Sequence, residues 1–374
     1  MNYTADLVLR VARRHNNEKR KYLLVNPLQG KHLPVSPRAA LTMMAVLGAK
    51  VARACPSARL VIGFAETATA IGGIVAQTLG SSCTYIQTTR EHPPGTQRWI
   101  EFLEEHSHAP EQRLAADGLE AALARTDTVV FVDDELSTGK TLCNILMQMR
   151  AALPALQAKK LVAASLLNRM TAADTERLRA HGAECIALVQ LPESDYETQV
   201  ERIAVRAAAD CTVPAHRYGY RRIVLPAHRT PRSGVAIGAY LRDWQDVGRR
   251  FADHLTWGRQ EAILVLGTEE CMLPGLLVGK ALEEKGYGNV VFHATTRSPI
   301  GIADAEGYPI RAGRCIRSFY EEARATYIYN LQPYDHALIV SDAGQDAADA
   351  VQSLLHAMRE SGCTDAVYLT SRAE

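Results

Sequence analysis

The chain lacks the features that mark several classes of protein. No run of 18 or more apolar residues occurs, which excludes a transmembrane helix, and the first 21 residues have no basic-then-apolar signal pattern. The charge is balanced, with 42 Lys+Arg against 41 Asp+Glu and a formal net charge of +1. Proteins that bind nucleic acids or anionic membranes usually carry a basic excess. We therefore expect a cytoplasmic protein with neither partner.

The cysteines and histidines are scattered rather than paired. The eight cysteines include no CxxC pair, and the twelve histidines form no HExxH motif. A disulfide framework would be denser and a zinc site would be clustered. The pattern predicts buried thiols in a reducing compartment and no metal held by the protein alone.

What is present is an alternation of strand-like and helix-like stretches. The 374 residues, of which 47% are hydrophobic, suffice for two or three globular domains. Alternating strands and helices predict an α/β fold with mostly parallel sheets, which bind ligands at the carboxyl ends of their strands. The clearest strand-like runs are residues 60–64, 84–87, 128–132, 161–167 and 184–189.

The same pattern occurs twice. Residues 60–66 (LVIGFAE) resemble 264–270 (LVLGTEE), 85–90 (YIQTTR) resemble 292–297 (FHATTR), and 129–134 (VVFVDD) resemble 337–342 (ALIVSD). The offsets are 204, 207 and 208 residues, so that order and spacing are kept. This predicts duplicated Rossmann-like parallel-sheet domains, the second degenerate, at residues 1–231 and 232–374.

The junction near residue 232 is rich in proline, glycine and basic residues. Residues 214–234 read PAHRYGYRRIVLPAHRTPRSG. Two interpretations remain open for these basic residues. They form a solvated linker, or they reach back over an anionic ligand.

The strongest functional signal is residues 129–141, VVFVDDELSTGKT. Four apolar residues predict a buried strand that ends at Asp133 and Asp134, and a Ser/Thr/Gly turn then leads into a helix at 142–152. The turn's N–H groups and hydroxyls, with the helix amino end, predict a phosphate site. The carboxylates suit the hydroxyls of an adjoining ribose. A nucleoside triphosphate P-loop would need glycine where Asp134 stands.

This loop resembles the phosphoribosyl pyrophosphate (PRPP) loop of type I phosphoribosyltransferases. The resemblance implies that Mg²⁺ enters with PRPP and that Asp133, Asp134 and Arg90 are the catalytic residues. Arg90 lies in a polar stretch, 88–116, at the position of the family's flexible catalytic loop. A pyrophosphate-binding turn would lie just before a helix at Ala70, although an ordinary capped helix start is the alternative there. The implied PRPP-binding residues are Ala65, Glu66, Thr67, Asp133, Asp134, Glu135, Ser137, Thr138, Gly139, Lys140 and Thr141.

The whole chain resembles a narrower group of bacterial two-part proteins. In that group a phosphoribosyltransferase is followed by a domain named TRSP for its Thr-Arg-Ser-Pro motif, which stands here at 296–299; residues 25–32 and 102–109 are also typical. The resemblance implies an association with tellurite-resistance and stress gene clusters and a role in making a nucleotide-like metabolite. Because related enzymes often dimerise, it also implies a possible homodimer.

The activity implied is transfer of a 5-phosphoribosyl group between PRPP and a small-molecule acceptor, with release of pyrophosphate. Relatives that act on 6-oxopurines carry a carboxylate immediately before the Thr-Gly-x-Thr turn, where this chain has Ser137. We therefore expect a base-like or anionic acceptor other than hypoxanthine or guanine. Two alternatives remain: a PRPP-sensing regulator that does not catalyse transfer, and a relative of the ribose-phosphate pyrophosphokinases.

The second repeat has lost the phosphate turn. Residues 340–349 read VSDAGQDAAD, which keep Asp342 but place carboxylates where a 5-phosphate would bind. We expect no ordinary PRPP binding there. Its polar strand ends form either a second small-molecule site, with Arg311 and Arg314 nearby, or a domain kept for packing. The candidate residues of this second site are Glu269, Glu270, Thr296, Arg297 and Ser298.

Overall fold

The computed structural model describes residues 2–17, 19–93, 95–103, 111–344 and 347–373. Two short 3-10 helices lie at Pro154–Ala158 and Pro231–Ser233. The elements of the amino-terminal part are α1 (Ala5–Val8), β1 (Arg10–Arg13), β2 (Tyr22–Val25), α2 (Pro37–Ala54), β3 (Leu60–Gly63), α3 (Thr69–Leu79), β4 (Thr84–Gln87), β5 (Trp99–Leu103), β6 (Glu111–Ala115), α4 (Leu119–Leu123), β7 (Thr128–Leu136), α5 (Lys140–Ala152), β8 (Lys160–Asn168), α6 (Ala172–Ala180), β9 (Ala183–Gln190) and α7 (Tyr196–Glu201).

The carboxyl-terminal part follows the same alternation. Its elements are β10 (Arg221–His228), β11 (Val235–Ala236), α8 (Ile237–His254), β12 (Ala262–Gly267), α9 (Met272–Glu284), β13 (Asn289–Ala294), β14 (Gly313–Arg317), β15 (Ala325–Tyr329), β16 (His336–Ser341), α10 (Ala348–Glu360) and β17 (Asp365–Ala373). We refer to residues 2–201 as the first copy and to residues 221–373 as the second copy.

Two parallel sheets confirm the predicted α/β class. The first has the order β11-β4-β3-β7-β8-β9, in which only β11 is antiparallel to its neighbour. The second has the order β10-β17-β16-β12-β13 and is parallel throughout. Central strands such as β3 are buried at every residue, as expected of parallel strands covered on both faces.

The two sheets repeat one topology. The order β4-β3-β7-β8 in the first corresponds to β13-β12-β16-β17 in the second, and each copy inserts an antiparallel hairpin after the β4 or β13 strand. The fifth strand differs: β9 follows β8 in the chain, whereas β10 precedes the rest of its sheet. The predicted division at residue 232 falls between β10, which lies in the second sheet, and β11, which lies in the first.

The two copies contact each other reciprocally. Val35, just before α2, exchanges backbone hydrogen bonds of 3.0 and 2.7 Å with Phe292 on β13. In the same way Val235, just before α8, pairs with Tyr85 on β4. Tyr85 and Phe292 occupy corresponding positions of the repeat. Each copy therefore adds a short segment to the other's edge strand, in the pseudo-two-fold manner of an isologous dimer.

Helices of both copies share one apolar core. Helix α9 of the second copy packs against α2 and α3 of the first and against α8. Leu47 on α2, Ile74 on α3 and Leu276 on α9 belong to the same buried cluster. No helix within the described ranges is long and apolar enough to cross a membrane.

Candidate functional site

A cavity of about 320 Å³ lies at the carboxyl ends of β3, β4 and β7, and both copies line it. The second copy contributes Arg297, Ser298, Arg324 and Ala325. Most of the residues predicted to bind PRPP meet here, although they come from three separate stretches of sequence. The predicted residues that line the cavity are Ala65, Glu66, Thr67, Arg90, Asp133, Asp134, Glu135, Ser137 and Thr141.

The acidic pair lies on the strand rather than after it. Strand β7 was predicted to end at residue 132, but it continues to Leu136 because its last residues still pair with β8. Asp134 Oδ1 accepts a 2.7 Å hydrogen bond from Thr67 Oγ1, and Asp133 Oδ1 accepts one of 2.9 Å from the Asp134 N–H. Burial, together with the neighbouring charge of Glu135, raises the pKa of Asp134.

Two arginines bind the third carboxylate of this group, Glu135. Arg20 and Arg169 each lie 2.7 Å from a Glu135 oxygen, and both guanidinium groups cover the ring of Tyr22, at 4.6 and 5.2 Å. Burial alone would raise the pKa of Glu135, but the two arginines outweigh it and lower the pKa. Glu135 therefore lines the cavity as a charged group that is already paired.

The predicted phosphate turn leads directly into α5. Ser137 and Thr141 line the cavity, and Thr138, Gly139 and Lys140 form the turn between them. Helix α5 begins at Lys140, two residues earlier than predicted, so its first turn borders the cavity. Gly139 has φ = 70°, and a Cβ there would lie 3.2 Å from Met170 Sδ. Both observations favour glycine at this position.

Side chains of the hairpin region hold the turn at 65–67. The N–H of Ala65 donates to Thr88 Oγ1 at 2.8 Å, and its carbonyl accepts from Gln112 Nε2 on β6 at 2.8 Å. The peptide bond between Ala65 and Glu66 is cis. Ala68 occupies the N-cap position of α3 without a side-chain hydrogen bond. The start of α3 therefore lacks the side-chain cap that the alternative interpretation expected.

Glu66 joins this turn to the second copy. Its Oε1 lies 2.9 Å from Lys31 Nζ and accepts hydrogen bonds from Thr296 Oγ1 (2.7 Å) and the Arg297 N–H (3.1 Å). Burial would raise the pKa of Glu66, but Lys31 and Arg297 together lower it to about 2. Lys31 is fully buried and also donates to the carbonyls of Glu269 and Thr295, at 2.8 and 2.9 Å.

The residues predicted for a second site lie beside the cavity of the first copy. Arg297 and Ser298 line the cavity of the first copy, while Glu269 and Glu270 are buried. Arg297 Nε lies 2.7 Å from Glu269, and its Nη2 lies 2.5 Å from Glu91 and 3.2 Å from Glu270. These residues therefore build a wall between the copies.

The nearby arginines divide into two groups. Arg324 joins that wall, with its Nη1 2.6 Å from Glu91 and 3.1 Å from Glu269. Arg311 and Arg314 were expected to converge with the second site. They instead pair with Asp304 at 3.9 Å and with Glu360 at 2.7 Å.

The reciprocal relation between the copies extends to these carboxylates. Glu270, the counterpart of Glu66, accepts from Thr89 Oγ1 at 2.7 Å and from the Arg90 N–H at 3.1 Å. Thr89 and Arg90 correspond in the repeat to Thr296 and Arg297, which donate to Glu66. The pseudo-two-fold axis therefore passes through the wall between the copies.

In the basic junction Arg217, Arg221 and Arg222 are exposed, whereas Arg232 is buried. It is 4% exposed, its Nε lies 2.8 Å from Glu270, and its Nη1 lies 2.6 Å from Asp342. Asp342 also accepts a 2.6 Å bond from the Tyr320 hydroxyl. Arg232 is thus not a solvated linker residue. It neutralises the acid that the second copy retains.

Several residues of the cavity were not predicted. His32 lines it, with Nε2 buried and without a hydrogen-bond partner among the described residues, and burial lowers its pKa to about 3. His32 belongs to the stretch 25–32 already noted as typical of the two-part group, which was its only signal. Arg14, Arg20, Gln112 and Arg324 reach the cavity through tertiary packing and had none.

The expected flexible loop contains the hairpin β5–β6. His106 and His108 lie outside the described residues. Arg98 pairs with Glu120 at 3.2 Å, and Arg113 bonds to His92. Within the described ranges, no group of three or more His, Cys, Asp or Glu residues could hold a metal ion.

The α/β fold thus brings two adjacent carboxylates, a Ser/Thr/Gly turn at a helix start and a facing turn into one cavity at the carboxyl ends of parallel strands. Comparison with protein families agrees. Residues 8–193 match the model described as "Phosphoribosyl transferase", and residues 232–358 match "TRSP domain C terminus to PRTase_2". The chain belongs to the family in which a phosphoribosyl transferase domain is followed by a TRSP domain.

Similarity to solved structures is distant. Adenine phosphoribosyltransferase from Giardia lamblia, complexed with 9-deazaadenine, is 17% identical over 50% of this chain and 97% of its own, with a TM-score of 0.38. Orotate phosphoribosyltransferase from Aeropyrum pernix is 17% identical over 44% and 76%, with a TM-score of 0.27. Helicobacter pylori xanthine-guanine-hypoxanthine phosphoribosyltransferase is 15% identical over 42% and 85%, with a TM-score of 0.25. No curated protein matches the chain significantly.

Proposed function

We propose that this protein transfers a 5-phosphoribosyl group between PRPP and a small-molecule acceptor, with release of pyrophosphate. The observation that carries the proposal is the meeting of the acidic pair, the 137–141 turn and the 65–67 turn in one cavity. In this assignment Asp133 and Asp134 bind the ribose hydroxyls, the 137–141 turn binds the 5-phosphate, and the 65–67 turn binds the pyrophosphate. Mg²⁺ enters with PRPP as part of the substrate.

The protein's part in this reaction is to position and enclose the reactants. The bond between ribose C1 and pyrophosphate breaks as positive charge develops on the ribose, and the acceptor attacks C1. Fixed dipoles and charges stabilise such a state because they need no reorganisation during the reaction. Gln112 on β6 contributes by holding the 65–67 turn through its hydrogen bond to the Ala65 carbonyl.

The charge around the cavity supports an acceptor that is base-like or anionic. Five arginines line it against four carboxylates, and Glu135 and Glu66 are already paired. Ser137 cannot serve as a general base toward the N–H of a 6-oxopurine, whereas an anionic acceptor needs no such base. The proposed acceptor is therefore neither hypoxanthine nor guanine.

Calorimetric titration tests the proposal. Mg²⁺-PRPP and ribose 5-phosphate are titrated into the wild type, Asp134→Asn and Asp127→Asn, in which Asp127 is an exposed carboxylate before the same strand. We expect micromolar binding by the wild type and by Asp127→Asn, and loss of both ligands in Asp134→Asn. Folded wild type that binds neither ligand would contradict the proposal. Pyrophosphate release on addition of acceptors then separates a transferase from a PRPP-sensing regulator.

A further inference from the structure

Arg297 comes from the second copy but lines the cavity of the first. Its backbone N–H binds Glu66, and its Nε lies 3.5 Å from Glu66 Oε2. Since Glu66 belongs to the 65–67 turn, the guanidinium lies beside the part of the cavity that we assign to pyrophosphate. The side chain is only 8% exposed, so a ligand that reaches it does so inside the cavity.

The guanidinium is held in one orientation by carboxylates. Glu269 binds Nε, and Glu91 and Glu270 bind Nη2. The remaining nitrogen, Nη1, is buried and has no hydrogen-bond partner among the described residues. A buried donor without a partner is costly, and a guanidinium fixed on its other edge is preorganised to donate to an anion.

Arg324 adds a second cation to the same wall. It lines the cavity, and it shares Glu91 and Glu269 with Arg297. Lys31, Arg297 and Arg324 pair with Glu66, Glu91 and Glu269, and Arg232 pairs with Glu270, so a dianionic group entering from the cavity still meets donors of the two arginines. The oxygens of pyrophosphate can accept hydrogen bonds from these arginines, and such charge-assisted hydrogen bonds are stronger than those between neutral groups.

We propose that Arg297, supplied by the second copy, donates through Nη1 to the pyrophosphate of PRPP bound in the first copy, and that Arg324 supports it as a second cation. This inference rests on the proposed function. It assigns the second copy a role in catalysis in place of a ligand site of its own. The buried acids Glu269 and Glu270 of the second copy orient Arg297, which donates to the ligand of the first copy.

The test separates the two halves of PRPP. Mg²⁺-pyrophosphate, ribose 5-phosphate and Mg²⁺-PRPP are titrated into the wild type, Arg297→Lys and Arg324→Gln. The control is Arg311→Gln, which alters an exposed arginine of the same copy. Lysine keeps a positive charge among the carboxylates. It lacks the additional guanidinium nitrogen with which arginine could donate to the ligand at the same time. We expect Arg297→Lys to bind Mg²⁺-pyrophosphate and Mg²⁺-PRPP about 10- to 100-fold more weakly, with ribose 5-phosphate affinity unchanged.

Different results would overturn the inference and the proposed function. If folded Arg297→Lys binds pyrophosphate as the wild type does, or loses ribose 5-phosphate in parallel, Arg297 has only a structural role. If Arg297→Lys does not fold, the partly exposed Arg324→Gln decides, and unchanged pyrophosphate affinity then contradicts the inference. Wild type that binds neither PRPP nor ribose 5-phosphate would instead contradict the proposed function.

Discussion

Asp342 binds Arg232 at 2.6 Å, whereas its counterpart in the first copy, Asp134, accepts a 2.7 Å hydrogen bond from the neutral hydroxyl of Thr67. Asp134 lies in β7, and Asp342 directly follows β16, the corresponding strand of the second copy. An arginine from the junction thus occupies, in the second copy, the position that corresponds to the proposed ribose site, whereas Asp134 lines the cavity of the first copy. This difference gives the two copies different responses to the same substitution.

The substitution Asp342→Asn should affect stability and leave binding intact. Removing the charge leaves Arg232 with one carboxylate partner, Glu270, in a buried setting. Breaking such a pair costs about 3 kcal/mol of unfolding free energy. Urea denaturation measures this loss, and calorimetry should show Mg²⁺-PRPP affinity close to wild type. The opposite pattern, with weakened binding at unchanged stability, would place a ligand in the second copy.

Gly139→Ala should weaken ribose 5-phosphate binding about tenfold, which corresponds to about 1.4 kcal/mol. A Cβ at φ = 70° is strained, and Met170 lies close to it, so the phosphate turn must shift. Gly118→Ala is the matched control, since Gly118 has φ = 79° and open space around it. Both variants lose stability in urea, but only the first should lose affinity. Equal affinities would argue against a phosphate at this turn.

The stability supplied by Glu66 should disappear in acid. Its pKa is lowered from 4.5 to about 2 in the folded protein, so the unfolded chain binds the proton more tightly. At about 1.4 kcal/mol for each pKa unit, the charged form contributes about 3 kcal/mol, present above pH 4.5 and lost as the pH falls toward 2. Urea denaturation from pH 7 to pH 2.5 should show the gap between wild type and Glu66→Gln closing below pH 4.5. A gap that is independent of pH would rule out this account.

Hypoxanthine and guanine should not be acceptors. Ser137 stands at the cavity where relatives acting on 6-oxopurines carry a carboxylate, and a hydroxyl does not take the proton from the base. Pyrophosphate release is measured with both purines and with a panel of carboxylated heterocycles, which the cavity's arginines favour. Turnover with either purine would show that another group supplies the base.

The parts of the site that follow from local patterns were predictable. The acids 133–134 and the 137–141 turn follow a run of buried residues, and a polar group at the end of a buried strand is visible in one sequence. Boundaries were less certain. The acids lie within β7 because β8 continues beside them, which is a property of the neighbouring strand.

Contacts between the copies were not predictable from the same patterns. The bond from Lys31 to the Glu269 carbonyl spans 238 residues, and that from Arg232 to Asp342 spans 110. The repeat showed which residues correspond, but not that the corresponding turns face each other. For that reason Arg297 was assigned to a separate site, although the paired Thr-Thr-Arg stretches at 88–90 and 295–297 were its visible signal.

The reciprocal pairing of Val35 with Phe292 and of Val235 with Tyr85 has a consequence for how such a protein can change over generations. Two identical subunits inherit every substitution twice, so neither can lose its phosphate turn while the other keeps it. In a single chain that carries both halves, each half can change independently of the other. One half can carry Asp-Ala-Ala-Asp in place of Thr-Gly-Lys-Thr and act only through its contacts with the other half.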